Sequence, residues 1–299
     1  MPVIFIFIDG IGIGEANTSN PFYKNGWKSI DYLTDGQSLT NASKSVYRDD
    51  LYYKAVDANL GVDGLPQSGT GQTTLFTGVN ASKVLGKHFG PFPHSGIKPL
   101  LKNESLFLKA NKAGKSTHFI NAYPEIFFER SSKTNRWSCT TLMTRSAGQR
   151  LNTLSDVLSG DAITAEIVQH AWRDMLGLDV PEILPETAAE RLLKSSSKYD
   201  LVMYEYYLTD KAGHAKDPEM AKRVFSVFDR FLYHLITNKS SDAHLVISSD
   251  HGNMEDLSVK THTRNPVPLF ISGSGSGKIK KAQSIMDVPS IILDLLQND

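Results

Sequence analysis

The 299-residue sequence predicts an α/β fold in which a mostly parallel central sheet is sandwiched by helices and carries a small inserted cap. Three observations lead there. Short apolar runs recur along the chain, amphipathic helical patterns separate them, and acidic and imidazole side chains cluster just past the ends of the runs.

The first run, VIFIFI at Val3 to Ile8, is apolar throughout and rich in Ile and Phe, as suits a central strand covered on both faces. Similar runs lie at residues 116–121 (STHFIN), 201–207 (LVMYEYY), 244–248 (HLVIS) and 267–271 (VPLFI). Helical patterns occupy residues 105–113, 187–194, 218–237 and 288–296. In such sheets ligands gather beyond the carboxyl ends of the strands. Asp9 follows the first run, Asp210 the run at 201–207, and Asp250 with His251 the run at 244–248.

Residues 123–185 read differently. FFERSSKTNRWSCTTLMTR carries Arg130, Arg136 and Arg145 with no clean strand-helix alternation, so this segment is expected to be the cap, inserted into a core of residues 1–122 and 186–299. SGSGSGK at 272–278 lacks the spacing and following helix of a phosphate loop and reads as a surface turn.

The 32 basic and 32 acidic residues cancel, so no global field draws the chain to nucleic acid or an anionic membrane, and any anion site must be local. The single cysteine, Cys139, excludes an internal disulfide framework and a cysteine-rich zinc site. The first apolar run is too short for a signal or a membrane span and has no basic residue ahead of it, so a cytoplasmic protein is expected.

Three motifs hold the chemistry. TDKAGH puts Asp210 and His214 four residues apart, on one face if the segment is helical. An Asp capping a solvated helix reads the same way. SSDHGN places Asp250 and His251 at a strand end with Gly252 and Asn253 to turn the chain, and THTRNPVP adds His262 ahead of Pro266 and Pro268. Singly, each also suits an ordinary turn or a surface histidine. Together, Asp9, Asp210, His214, Asp250, His251 and His262 supply enough carboxylate and imidazole for two divalent ions, Mn²⁺ or Zn²⁺.

The order Asp after the first strand, hydroxyl-rich turn, DxxxH, SDHGN and HTxNPVP resembles the alkaline phosphatase superfamily, nearest to cofactor-independent phosphoglycerate mutase and phosphopentomutase. The resemblance covers residues 1–121 and 186–298, where DVPSIILDLL is similar to the family's closing helix, and stops at the cap. It implies one metal held by Asp210, His214 and His262, and another by Asp9, Asp250, His251 and a nucleophile oxygen. GLPQSGTGQTTLFTG offers Ser68, Thr70, Thr73 and Thr74 as hydroxyls. Matching SGTGQ to the mutases' nucleophile-x-x-Gly-His pattern selects Ser68, with Gly71 at the family's glycine and Gln72 where those mutases carry His. Thr70 and Thr73 remain alternatives, and a hydroxyl capping a helix after Pro66 is compatible with either role.

The resemblance implies transfer of a phosphoryl group from a small phosphorylated substrate through phosphoserine. The short cap favours hydrolysis of a phosphate monoester or diester. The alternative is an intramolecular mutase acting on a small sugar or glycerate phosphate. A non-catalytic, metal-stabilised binding protein is a third reading, against which the complete ligand set and adjacent hydroxyl argue. Arg130, Arg136, Arg145 and Arg150 are candidates for holding substrate, although charges in an irregular segment are usually solvated; Asn17 and Lys87 are candidates for the mouth of the site.

Overall fold

The computed structural model describes residues 1–274 and 277–297, so the expected turn at 272–278 lies partly outside the described residues. Seven strands, β1 (Val3–Ile8), β2 (Val46–Tyr47), β3 (Leu51–Val56), β4 (Thr117–Phe119), β5 (Leu201–Tyr206), β6 (His244–Ser249) and β7 (Val267–Ser272), form one sheet in the order β2-β3-β7-β6-β1-β5-β4. The central strands β6, β1, β5 and β4 run parallel. On the other side β7 turns antiparallel to β6, β3 to β7 and β2 to β3.

Each expected apolar run forms a strand, although 116–121 contributes only Thr117–Phe119. Strands β2 and β3 were not expected. β3 (LYYKAV) sits toward the sheet edge, and its half-buried Lys54 and exposed Ala55 break the apolar run that marks the central strands.

The helices are α1 (Lys28–Leu33), α2 (Ser68–Thr77), α3 (Ala81–Leu85), α4 (Lys98–Glu104), α5 (Leu106–Lys112), α6 (Glu125–Thr134), α7 (Cys139–Ser146), α8 (Leu154–Leu158), α9 (His170–Asp174), α10 (Pro185–Ser196), α11 (Leu208–Ala215), α12 (Pro218–Asn238) and α13 (Val288–Gln297). They cover both faces of the sheet, and the two-residue period of β1 shows how. Ile4, Ile6 and Ile8 join a buried cluster with Phe225, Phe228 and Phe231 of α12. Val3, Phe5 and Phe7 join the opposite cluster with Phe76 of α2, Phe107 of α5 and Ile292 of α13. The long α12 starts cleanly because Pro218 occupies its first turn and the Asp217 side chain accepts the Glu219 N–H at 2.9 Å.

Residues 123–185 divide in two. Trp137, Cys139, Leu142 and Met143 are buried in the same cluster as Phe5 and Phe76, which lays α7 against α2, α4 and α5. Ala122, Val157, Ala162, Trp172 and Val180 make a small cluster of their own. Among the described residues no helix is long and apolar enough to cross a membrane.

The register sets the height of the strand ends. Ile8 pairs with Tyr206 on one side and Ser249 on the other, so the chain leaves β1, β5 and β6 at one level and releases Asp9, α11 and Asp250 side by side. Helix α2 is held beneath this edge by Phe76, whose ring meets Phe7 edge-on at 5.2 Å and Phe5 at 6.5 Å. Phe76→Ala is expected to cost about 3–5 kcal/mol of stability by denaturant unfolding. A loss under about 1 kcal/mol would mean that α2 is anchored elsewhere.

Candidate metal centre

Six side chains expected to bind metal meet at the carboxyl edge of the sheet. Asp9 directly follows β1, Asp250 and His251 follow β6, Asp210 and His214 sit one turn apart on α11, and His262 lies on the loop entering β7. His251 Nε2 is 3.3 Å from Asp9 Oδ1 and 3.5 Å from Asp250 Oδ2. Asp210 lies 3.4 Å from His214 Nε2 through one oxygen and 3.5 Å from His262 Nε2 through the other. The rings of His251 and His262 stack with centroids 3.8 Å apart, joining the two halves. Asp9, Asp250 and His251 form one group able to hold an ion, and Asp210, His251 and His262 another. His214 adjoins the second group, its Nε2 3.2 Å from His262 Nε2.

Backbone carbonyls orient the imidazoles. His262 Nδ1 faces Pro66 O at 2.7 Å, and His214 Nδ1 faces Lys260 O at 2.7 Å. A carbonyl only accepts, so in the neutral rings Nδ1 carries the proton and the Nε2 lone pairs turn toward each other. A cation between them, a proton or a metal ion, relieves that convergence. The carboxylates make the same demand, since Asp9 Oδ1 and Asp250 Oδ2 are buried and, among the described residues, have no hydrogen-bond partner.

The electrostatics agree with this geometry. Burial, then the charges of Asp250, Asp210 and Glu205, raises Asp9 well above the usual carboxylate range. Burial, then the charge of Asp210, pushes Asp250 up to about 7. Burial also acts upward on Asp210, but the His262 hydrogen bond and the Asn253 amide bring it to about 2. Burial, followed by the charge of His262, lowers His251 to about 3 and keeps it neutral. Hard and borderline donors with uncompensated negative charge fit divalent cations.

Ser68 is the first residue of α2, and its Oγ lies 3.0 Å from His251 Nε2. The alternative hydroxyls turn inward: Thr70 faces the carbonyls of Gln67 and Phe89, Thr73 donates to Gly69 O at 2.6 Å and Thr74 to Thr70 O at 2.8 Å. Gly71 lets the helix approach, because a Cβ there would come within 2.7 Å of Asp250 O. Gln72 donates to Asp9 Oδ2 at 3.2 Å, so the residue that departs from the mutase pattern still touches a ligand.

Among the described residues, none of the arginines expected to hold substrate bonds to a candidate metal-binding side chain. Arg130 is exposed on α6, Arg136 is exposed beside a cavity near α4, and Arg145 lies with its guanidinium 3.8 Å above the Trp137 ring. Arg150 grips Asp156 through two hydrogen bonds of 2.7 and 2.6 Å. Asn17 is turned to Ser19 in a local turn, and the Lys87 ammonium lies 5.9 Å from the centre of the Phe89 ring.

Two buried acids escaped the sequence reading. Glu205, inside β5, accepts a hydrogen bond from Thr140 at 2.7 Å, and burial raises it to about 7. Glu255 is 1% exposed, and its two oxygens accept from four donors on two loops. Gly12 N–H and Asn253 N–H reach one oxygen at 2.9 and 2.7 Å, while Asn265 Nδ2 at 3.0 Å and the Thr263 hydroxyl reach the other. Its signal in the sequence was its place two residues after Asn253, in a motif read only for its ligands. Glu255→Gln would turn amide hydrogens toward these donors. It is expected to weaken divalent-metal affinity 10- to 100-fold in calorimetric titration with the circular dichroism of the fold retained. Unchanged affinity would reduce Glu255 to a loop staple.

Comparison with known proteins places these features in context. The Metalloenzyme superfamily profile matches residues 1–299. The 2,3-bisphosphoglycerate-independent phosphoglycerate mutase of Desulforudis audaxviator (strain MP104C) is 31% identical over 124 residues, covering 39% of this chain and 24% of the mutase. The phosphopentomutase of Clostridioides difficile (strain 630) is 30% identical over 149 residues, covering 48% of this chain and 35% of that enzyme. The matched stretch thus spans about a third or less of these relatives. In overall fold the chain is similar to alkaline phosphatase from the Antarctic bacterium TAB5, with a TM-score of 0.60, 11% identity and coverage of 99% and 98% of the two chains. It is also similar to Leishmania mexicana phosphoglycerate mutase, with a TM-score of 0.54, 11% identity and coverage of 99% and 95%. A match over its full length, on a sheet whose edge gathers carboxylates and imidazoles, makes this chain a member of the Metalloenzyme superfamily.

Proposed function

We propose that the chain is a phosphoryl-transfer enzyme that forms a phosphoserine on Ser68 and holds two divalent ions, Mn²⁺ or Zn²⁺. One ion is assigned to Asp210, His214 and His262, the other to Asp9, Asp250, His251 and Ser68. The observation carrying this reading is the Ser68 hydroxyl, whose Oγ lies 3.0 Å from His251 Nε2. When bound, such cations lower the pKa of a hydroxyl and neutralise phosphoryl oxygens.

The chain's own residues supply position. Ser68 begins α2, so the amides of Ser68 and Gly69 have no acceptor within the helix and suit an anion. Ser68 Oγ bonds to phosphorus as the ester oxygen departs, and water then cleaves the phosphoserine. The substrate is a small phosphorylated molecule, as the names of the phosphoglycerate and phosphopentose relatives suggest.

Hydrolysis is the preferred outcome. Residues 123–185 serve as a modest cap whose first half packs back onto α2 and whose Arg145 and Arg150 are engaged with Trp137 and Asp156 rather than turned to a dephosphorylated intermediate. The mutase names of the relatives favour intramolecular transfer as the second reading. A buried, unpaired Cys139 accords with a cytoplasmic setting.

With Mn²⁺ or Zn²⁺ the protein is expected to release p-nitrophenol from p-nitrophenyl phosphate or its bis ester, and to stop when the metal is chelated. Ser68→Ala should lower turnover at least about 10³-fold with metal binding intact. Full activity in Ser68→Ala, with loss in Thr70→Ala, would move the nucleophile. Isomerisation of a phosphorylated sugar or glycerate without ester hydrolysis would select the mutase.

A further inference from the structure

The segment after α3 wraps the turn of α2 that presents Ser68. Phe89 O accepts the Thr70 N–H at 2.9 Å, and a Cβ on Gly69 would lie 2.7 Å from Phe89 O and 2.4 Å from Phe92 O. A Cβ on Gly90 would lie 3.2 Å from the Ser68 nitrogen. This wrap also forms one wall of a 470 Å³ cavity, with Trp137 and the residues that follow α6 lining it as well.

The lining combines an aromatic and prolyl wall with cations. Phe89, Pro91, Phe92 and Trp137 supply the apolar surface, and Lys98 and Arg136 the charge; none of the lining residues is acidic. Lys98 Nζ reaches the Asn135 carbonyl at 3.5 Å, and among the described residues neither Lys98 nor Arg136 forms an ion pair. Arg145 behind Trp137 and Lys87 over Phe89 add positive potential from the flanks. In a chain whose 32 basic and 32 acidic residues cancel, this is a local excess of positive charge without counterions, and a guanidinium beside an ammonium suits a carboxylate or phosphate.

We propose that this cavity is a subsite in which Lys98 and Arg136 hold a second anionic group of the substrate, separate from the phosphoryl group that Ser68 attacks. The proposal rests on the phosphoryl-transfer reading and narrows it to substrates with two anionic ends. Arg136 thereby gains a role that Arg130 and Arg145 do not share: Arg145 braces the Trp137 wall.

The test is calorimetric binding to the Mn²⁺-loaded protein, which needs no turnover. A series of ω-phosphonocarboxylates of increasing chain length is compared with alkylphosphonates of matching length, with bisphosphonates in parallel to tell carboxylate from phosphate preference. At one length the doubly anionic ligand is expected to bind at least about tenfold tighter. Lys98→Ala/Arg136→Ala should erase that gap while alkylphosphonate affinity stays unchanged. A gap absent at every length, or surviving the double substitution, would overturn the subsite and leave the metal reading standing. Failure of every phosphonate to bind would overturn both.

Discussion

The structure depends on concentrating negative charge where water cannot reach it. Asp9, Asp250 and Glu255 are each at most 7% exposed, and all lie at one edge of one sheet. Glu255 is satisfied by four donors, whereas Asp9 and Asp250 each keep an oxygen without a partner. Burying an unpaired carboxylate is costly enough that the group shifts its pKa or finds a cation. The raised values of Asp9 and Asp250 express that demand within the protein alone, and a divalent ion answers it. Glu255 and the unsatisfied pair are therefore two parts of one design: a fully bonded anion fixes the loops that hold the incompletely bonded ones.

The imidazoles complete the arrangement through contacts that lie outside any motif. His262 is set by Pro66 O and His214 by Lys260 O, so ring orientation is inherited from the main chain of neighbouring loops. Such carbonyl anchors fix the tautomer and the ring orientation without a partner side chain. Gln72 illustrates the same economy at Asp9, where a side-chain amide donates to a ligand oxygen.

Much of this was legible beforehand because central parallel strands leave a strong mark. VIFIFI is apolar on both faces and HLVIS is buried on both, and the residues that follow them then fall at the carboxyl edge of the sheet. The spacing of Asp210 and His214 reads directly once the segment is helical. Less regular features were opaque for physical reasons. β3 carries a lysine, β2 is two residues long, and Glu255 ties its own loop to Gly12, 243 residues away in sequence. The segment from 123 to 185 hid its helices because α7, with CTTLMTRS, looks polar yet buries six residues.

Helix α2 carries that lesson furthest. All of its residues from Ser68 to Thr77 are buried although half of them are hydroxyl-bearing, and Thr73, Thr74 and Thr77 each bond the carbonyl one turn back. Because those threonines settle their hydroxyls within the helix, α2 needs no wet face and can be set into the interior like a dowel. The hydroxyl of Ser68 at the tip of the dowel thereby inherits a fixed address beside His251 from the burial of the whole shaft.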